Sequence, residues 1–372
     1  MNHFFLLNFL LFSLGVFSQQ SNFEGSYSGS FNHGNFSSDL ELTISKNNDD
    51  QYLIRFNSLE QNAFGIPARD ITLVADTLKF ALQSDYFRYD FSGMLLNNRY
   101  LKLNLLVDGK SYDFKLDKQS ITDALQLRHK DIRFRSENLL LYGTIYYPEN
   151  PNGKAIYLVT SSGDQDRSGS RAEAVLLAQN GYITMHTDKR GTGISDGNWQ
   201  KADIPELCED DMRAIQYLAQ VSQLPLSDIG IKGSSQGASK VPFILTQMPE
   251  LGFGVVVSCP GTTLLKSDLN YWKNRNKTLI DPDAMDQALE LQETAFRHIA
   301  GDVQRKELDD KVSMHKEEPW FKHVWIPEPN EIDQDKKLNY SPLPYFEKLT
   351  RPVLVIQGTM DEIIPAESIS TI

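Results

Sequence analysis

Two rhythms of apolar and polar positions divide the chain. From residue 23 to about 118 the two kinds of residue alternate in short runs: Leu40–Ile44, Tyr52–Phe56, Ile71–Val74, Leu78–Leu82, Tyr100–Val107 and Tyr112–Leu116. A period of two puts one set of side chains on one face of a strand. Turn formers separate the runs, among them Asn47-Asn48, Asn97-Asn98 and Asp108-Gly109, the last a strong hairpin signal. The pattern predicts a small antiparallel β barrel or sandwich over 23–118. No cluster of reactive side chains falls in it, so it reads as a flanking or partner-binding module.

Residues 119–129 link the halves. Ile132–Arg135 and Leu139–Tyr147 then form a hairpin, after which fully apolar strands alternate with amphipathic helices. The strands are Ala155–Val159, Tyr182–His186, the run around Ile229 and Ile231, Phe253–Ser258 and Val353–Ile356. The helices are Arg171–Gln179, Ile204–Val221 and one beginning beside Ser235. Continuous apolar strands between helices predict an α/β fold, a doubly wound and mostly parallel sheet covered on both faces. This second domain spans 130–372. The sheet pattern stops between about 262 and 341, where Asp283–Glu307 is helical, with Leu289, Leu291, Phe296 and Ile299 on its apolar face. Trp272, Trp320, Phe321 and Trp325 surround it. An insertion of that length reads as a helical cap over a site, its aromatics either selecting substrate or simply packing it down.

The chemistry centres on Gly233-Ser234-Ser235-Gln236-Gly237, between the Ile229–Ile231 strand and the stripe Val241, Ile244, Leu245, Met248. Strand, G-x-S-x-G and helix make a nucleophile elbow, which holds a serine hydroxyl clear of the sheet on a strained turn. Ser235 falls at the helix N-terminus, where the Gln236 N–H is a candidate oxyanion donor. Pro242, past the first turn, predicts a kink. Asp361 follows the Val353–Ile356 strand, where a triad acid stands in the order Ser, Asp, His. An Asp in that place also commonly just forms a turn.

Composition narrows the classes. The formal charge of −12 and the lack of a basic run argue against nucleic acid. The two cysteines, Cys208 and Cys259, have no metal-ligand spacing. They read as lone core thiols, with a disulfide left open in an oxidising compartment. No metal or other cofactor is implied. Phe4–Val16 is an apolar run too short to span a membrane, followed by Val16-Phe17-Ser18. It reads as a signal peptide over 1–18, so the mature chain is expected to be secreted or periplasmic, without a membrane span; the alternative is an N-terminal anchor.

Four stretches carry a resemblance to the α/β-hydrolase superfamily: Val159–Arg167, Asp188–Ser195, Gly233–Gly237 and Gln357–Pro365. The nearest likeness is to exported bacterial esterases and serine-aminopeptidase-like members with an N-terminal β domain. The resemblance implies a Ser-His-Asp mechanism on a small-molecule ester, or alternatively on a short peptide. Ser235 would be the nucleophile and Asp361 the acid. Gln236 and, from the Ser161–Gly163 loop, Ser162 would form the oxyanion hole. Asp188 and Arg190 would be structural ion partners. The departure is the base. The seven histidines are His3, His33, His129, His186, His298, His315 and His323, and none follows Asp361. The simplest expectation is that the chain is truncated at its C-terminus and turns over esters poorly. The other is a non-catalytic binding protein on a hydrolase scaffold. For the peptide reading an acidic pair must grip an ammonium group; Glu317-Glu318 is a candidate, although a solvated charge pair is its plainer reading.

Overall fold

A computed structural model describes residues 22–34, 36–61, 63–83, 88–107, 109–119, 127–328 and 335–372. The predicted signal peptide, Asp108 and most of the 119–129 link lie outside the described residues. The chain forms two compact units, Met1–Leu125 and Gln126–Ile372.

The first unit is one antiparallel sheet of nine strands: β1 (Gly25–His33), β2 (Phe36–Lys46), β3 (Tyr52–Ser58), β4 (Ala63–Pro67), β5 (Arg69–Val74), β6 (Thr77–Gln83), β7 (Arg88–Leu96), β8 (Tyr100–Val107) and β9 (Lys110–Lys118). The order is β4-β3-β2-β1-β9-β8-β7-β6-β5. The two outermost strands, β4 and β5, follow each other in the chain through Ala68, whose N–H donates to the Ile54 carbonyl of β3 at 2.9 Å. The sheet therefore curls back on itself as a barrel does. Alternate residues such as Tyr27, Leu42, Ile44, Ile54, Leu78, Leu101, Leu103 and Leu116 fill its interior. An open polar hollow of about 740 Å³ lies near Lys46, Tyr52 and Arg69.

The second unit is a seven-stranded mixed sheet. Its strands are β10 (Arg128–Ser136), β11 (Leu139–Tyr147), β12 (Ala155–Leu158), β13 (Ile183–Thr187), β14 (Ile229–Ser234), β15 (Phe253–Val257) and β16 (Val353–Ile356), in the order β10-β11-β13-β12-β14-β15-β16. The hairpin β10–β11 is antiparallel and pairs antiparallel with β13, and β13 to β16 are parallel. All four residues of β12 are buried, as both-face cover demands. Helices α1 (Arg171–Gln179), α2 (Ile204–Ser222) and α3 (Gln236–Gln247) supply that cover. Asp203 and Glu206 close a capping box at the start of α2. The kink expected at Pro242 does not end α3, which runs unbroken through it.

Between β15 and β16 the chain adds α4 (Leu264–Asn276), α5 (Met285–Ile299), α6 (Arg305–His315) and the single turn α7 (Leu343–Phe346); α8 (Ser368–Thr371) follows β16. The helix expected over Asp283–Glu307 is two helices, and its buried stripe is Met285, Ala288, Leu291, Ala295 and His298 instead of the expected Leu289, Phe296 and Ile299. Met285, Ala288, Leu291 and Ala295 form a separate core with Ile280, Leu308, Trp320 and Val324, on which Trp272 and Phe321 pack. Trp325 stays half exposed. Cys208 in α2 and Cys259 after β15 are free and buried, so the disulfide left open by the sequence is not formed. Burial pushes the Cys259 thiol up to about 12 and the Cys208 thiol well above its ordinary value.

Candidate active site

Ser235 joins β14 to α3 with φ 53° and ψ −124°, a conformation that side-chain-bearing residues rarely adopt. Its N–H donates to the Val257 carbonyl at 2.9 Å, tying the turn to β15. The flanking glycines are required by space. A Cβ on Gly233 would lie 2.3 Å from the Gly237 carbonyl oxygen, and one on Gly237 would crowd the Val159 and Thr160 carbonyls at 3.1 and 3.2 Å. The Ser161 hydroxyl donates to the Ser234 carbonyl at 2.9 Å and lies 3.4 Å from the Gly237 nitrogen. It thereby fastens the 161–163 loop to the elbow.

Beneath the elbow lies a buried ionic network. Lys240 of α3 and Asp211 of α2 are 0 % and 1 % exposed and pair at 2.6 Å. The Lys240 ammonium also donates to the Thr160 hydroxyl at 2.7 Å. Asp211 accepts from the Tyr157 hydroxyl at 2.7 Å and the Thr160 hydroxyl at 3.1 Å. Burial, then the Asp211 charge, hold the Tyr157 hydroxyl protonated. Asp188 and Arg190 serve as ion partners: Asp188 pairs with Arg167, and Arg190 with Asp210 at 2.6 Å.

Ser235, Gln236, Ser162 and Gly163 line one cavity of about 200 Å³. Three of the four expected site residues therefore meet. The Gln236 and Ser162 N–H groups have no acceptor among the described residues, as oxyanion donors require. The far wall comes from the insertion: Asp268 of α4, with Asp335 and Lys337. The surrounding protein, then the charge of Asp335, push the Asp268 carboxyl upward, a shift that its exposed side chain moderates. Asp335 is already paired with Lys337 at 2.8 Å. Sequence reasoning missed this acidic pair, whose members stand far apart in the chain. Glu317-Glu318 is exposed and outside the cavity, in keeping with its plainer reading as a solvated pair.

Asp361 is not in the cavity wall. It follows β16, with β15 between its strand and that of Ser235. Its carboxylate accepts the Ile363 and Ile364 N–H groups, both at 3.0 Å, and the Gln357 amide at 3.1 Å. The turn-forming role weighed for it is thus present. No described histidine lines the cavity. His186 is a core residue (1 % exposed), its Nδ1 3.0 Å from the Ser170 hydroxyl, and His298 is buried in α5. Among the described residues no three His, Cys, Asp or Glu side chains converge as metal ligands, and no helix is long and apolar enough to cross a membrane.

Burial, then the charges of Arg167 and Arg171, lower the His186 pKa to about 3. The unfolded chain, with an ordinary value near 6.5, takes up this proton first as pH falls. The contribution is whole above about 6.5 and is lost progressively towards pH 3. Urea unfolding across that range should show a smaller loss of stability on acidification for His186→Gln than for the wild type.

Residues 101–371 match the family model of X-Pro dipeptidyl-peptidase (S15 family). No curated protein matches the chain significantly. Among solved structures the chain is similar to an esterase of Pyrococcus furiosus, at 17 % identity over 68 % of this chain and 77 % of that one, TM-score 0.42. It is similar to an acylaminoacyl peptidase of Pyrococcus horikoshii, at 15 % identity over 93 % and 61 %, TM-score 0.43. It is also similar to a proline iminopeptidase of Mycobacterium smegmatis, at 18 % identity over 65 % and 85 %, TM-score 0.42.

Proposed function

The chain belongs to the X-Pro dipeptidyl-peptidase (S15) family of the α/β-hydrolase superfamily, and from that premise we propose that it hydrolyses carboxylic esters through Ser235. The observation that carries the reading is Ser235 on its strained turn, sharing one cavity with Gln236 and Ser162. In this reading Ser235 Oγ attacks the ester carbonyl and passes its proton to a base. The Gln236 and Ser162 N–H groups bear the tetrahedral oxyanion, which collapses to an acyl-enzyme and releases the alcohol. Water then frees the acid. Asp361 is assigned to orient an imidazole. The helical insertion acts as a cap, supported by Asp268 of α4 in the cavity wall. The apolar run Phe4–Val16 supports export in the same reading.

Esters make the smaller demand on a general acid. An amine leaving group must be protonated to depart, whereas a phenolate leaves unaided. The second reading, cleavage of short peptides, is favoured by Asp268 and Asp335, which could pair with a substrate ammonium.

One assay separates the two. p-Nitrophenyl acetate and an aminoacyl-prolyl p-nitroanilide are offered to chain 1–372 with and without added imidazole, which acts as a base in solution. The ester reading expects slow hydrolysis of the acetate, quickened by imidazole only while Ser235 is present, and little release of nitroaniline. Efficient anilide cleavage that collapses in Asp268→Asn would install the peptidase instead. No Ser235-dependent rate on either substrate would favour a binding protein.

A further inference from the structure

Lys189 has no part in the chemistry above, yet its side chain is buried beside the cavity, 3 % exposed. It leaves β13 by the Asp188–Arg190 segment, and its Nζ donates to the Ser161 carbonyl at 2.8 Å and to the Gly163 carbonyl. The ammonium also lies 4.3 Å from the centre of the Trp199 ring. Burying an ammonium costs several kcal/mol unless its donors are satisfied, so this placement is held by specific partners.

Those partners flank Ser162. In a trans peptide the carbonyl of one residue and the N–H of the next point in opposite directions. Drawing the Ser161 carbonyl towards Lys189 therefore turns the Ser162 N–H away from the lysine. The Ser161 hydroxyl holds the same residue to the elbow through the Ser234 carbonyl. Lys240 holds the preceding Thr160 hydroxyl. Two buried lysines and one serine thus fasten a loop whose Ser162 shares the cavity with Ser235.

We propose that Lys189 is a positioning residue for acyl transfer, gripping the carbonyls on either side of Ser162 so that the Ser162 N–H is held as the second oxyanion donor. The inference rests on Ser235 being the nucleophile. The surroundings make the grip sensitive to pH. Burial, then Lys240, lower the Lys189 pKa to about 8; Lys337 adds to this, while Asp211 and Asp164 oppose it. An arginine in its place keeps its charge at any pH the protein survives.

The test compares wild type, Lys189→Met, Lys189→Arg and Ser235→Ala in imidazole-supported hydrolysis of p-nitrophenyl acetate. Losing an oxyanion donor outright costs about 10²- to 10³-fold in kcat, so misplacing one in Lys189→Met should cost about ten- to a hundredfold, with KM little changed. Lys189→Arg should recover most of the rate. The ratio of wild-type to Lys189→Arg kcat should fall as pH rises through about 8. Amide hydrogen exchange over residues 160–165 should quicken in the Met variant and not in the Arg variant. A Met variant with wild-type kcat, or one altered in KM alone, overturns the proposal. Should Lys189→Met not fold, the pH comparison of wild type with Lys189→Arg decides, and a flat ratio overturns it. A rate indifferent to Ser235→Ala removes the nucleophile reading, and this proposal with it.

Discussion

Ser235→Gly is expected to abolish turnover and to make the protein more stable. The native φ of 53° and ψ of −124° cost a serine on the order of 1–3 kcal/mol. For glycine the same angles mirror an ordinary extended conformation and carry no such penalty. Glycine's greater freedom in the unfolded chain takes back roughly 0.5–1 kcal/mol, which leaves a net gain on the order of 1 kcal/mol. Removing Oγ also removes the nucleophile. Urea unfolding and the imidazole-supported ester assay read both effects on one preparation. A variant less stable than wild type would show that the turn is not strained, and unchanged hydrolysis would show that Ser235 is not the nucleophile.

Lys240→Met carries the largest expected cost in stability, about 3–5 kcal/mol, because it leaves Asp211 as a lone buried charge. That is a large part of the roughly 5–15 kcal/mol by which a folded domain exceeds its unfolded chain. Desolvation outweighs the loss of any single hydrogen bond here, so neutralising the survivor should repair most of the damage. The double variant Lys240→Met with Asp211→Asn is expected to regain more than half of the loss, since an asparagine oxygen can still accept from Tyr157 and Thr160. Denaturant midpoints of the two single variants and the double complete the cycle. A Lys240→Met protein within about 1 kcal/mol of wild type would mean that water or another cation reaches Asp211.

What could be read from the amino acids follows how local each feature is. The central strand Ala155–Leu158 is buried on both faces and so is apolar at every position, and α1 runs over the residues its pattern marks. The elbow was legible because its glycines answer to contacts a few residues apart. β1 was not, because it pairs on both sides while reading Gly-Ser-Tyr-Ser-Gly-Ser-Phe-Asn-His, with Tyr27 its one fully buried side chain. β4 and β7 hid in the same way behind Gly65 with Pro67 and Asp90 with Gly93. Helix α4 was missed because it buries Ser267 and Asn276 along with Leu264 and Leu265, which leaves little apolar stripe to see. In the site, Ser162 and Gln236 adjoin recognisable motifs. Lys189, Lys240 and Asp211 look like ordinary surface charges, and their burial comes with partners such as Ser161, Thr160 and each other, 28 to 80 residues away. A period along the chain carries no information about such partners.

The two free thiols give the second unit an internal clock. Cys208 and Cys259 are the chain's only cysteines, both sit in that unit, and both are buried in their protonated form. Alkylation requires a solvated thiolate, so neither sulfur reacts until α2 or the segment after β15 lifts from the sheet. The nine-stranded unit has no sulfhydryl and stays silent in such an experiment. Thiol-labelling rates in the intact chain therefore time the opening of the hydrolase core alone, without a probe having to be engineered into it.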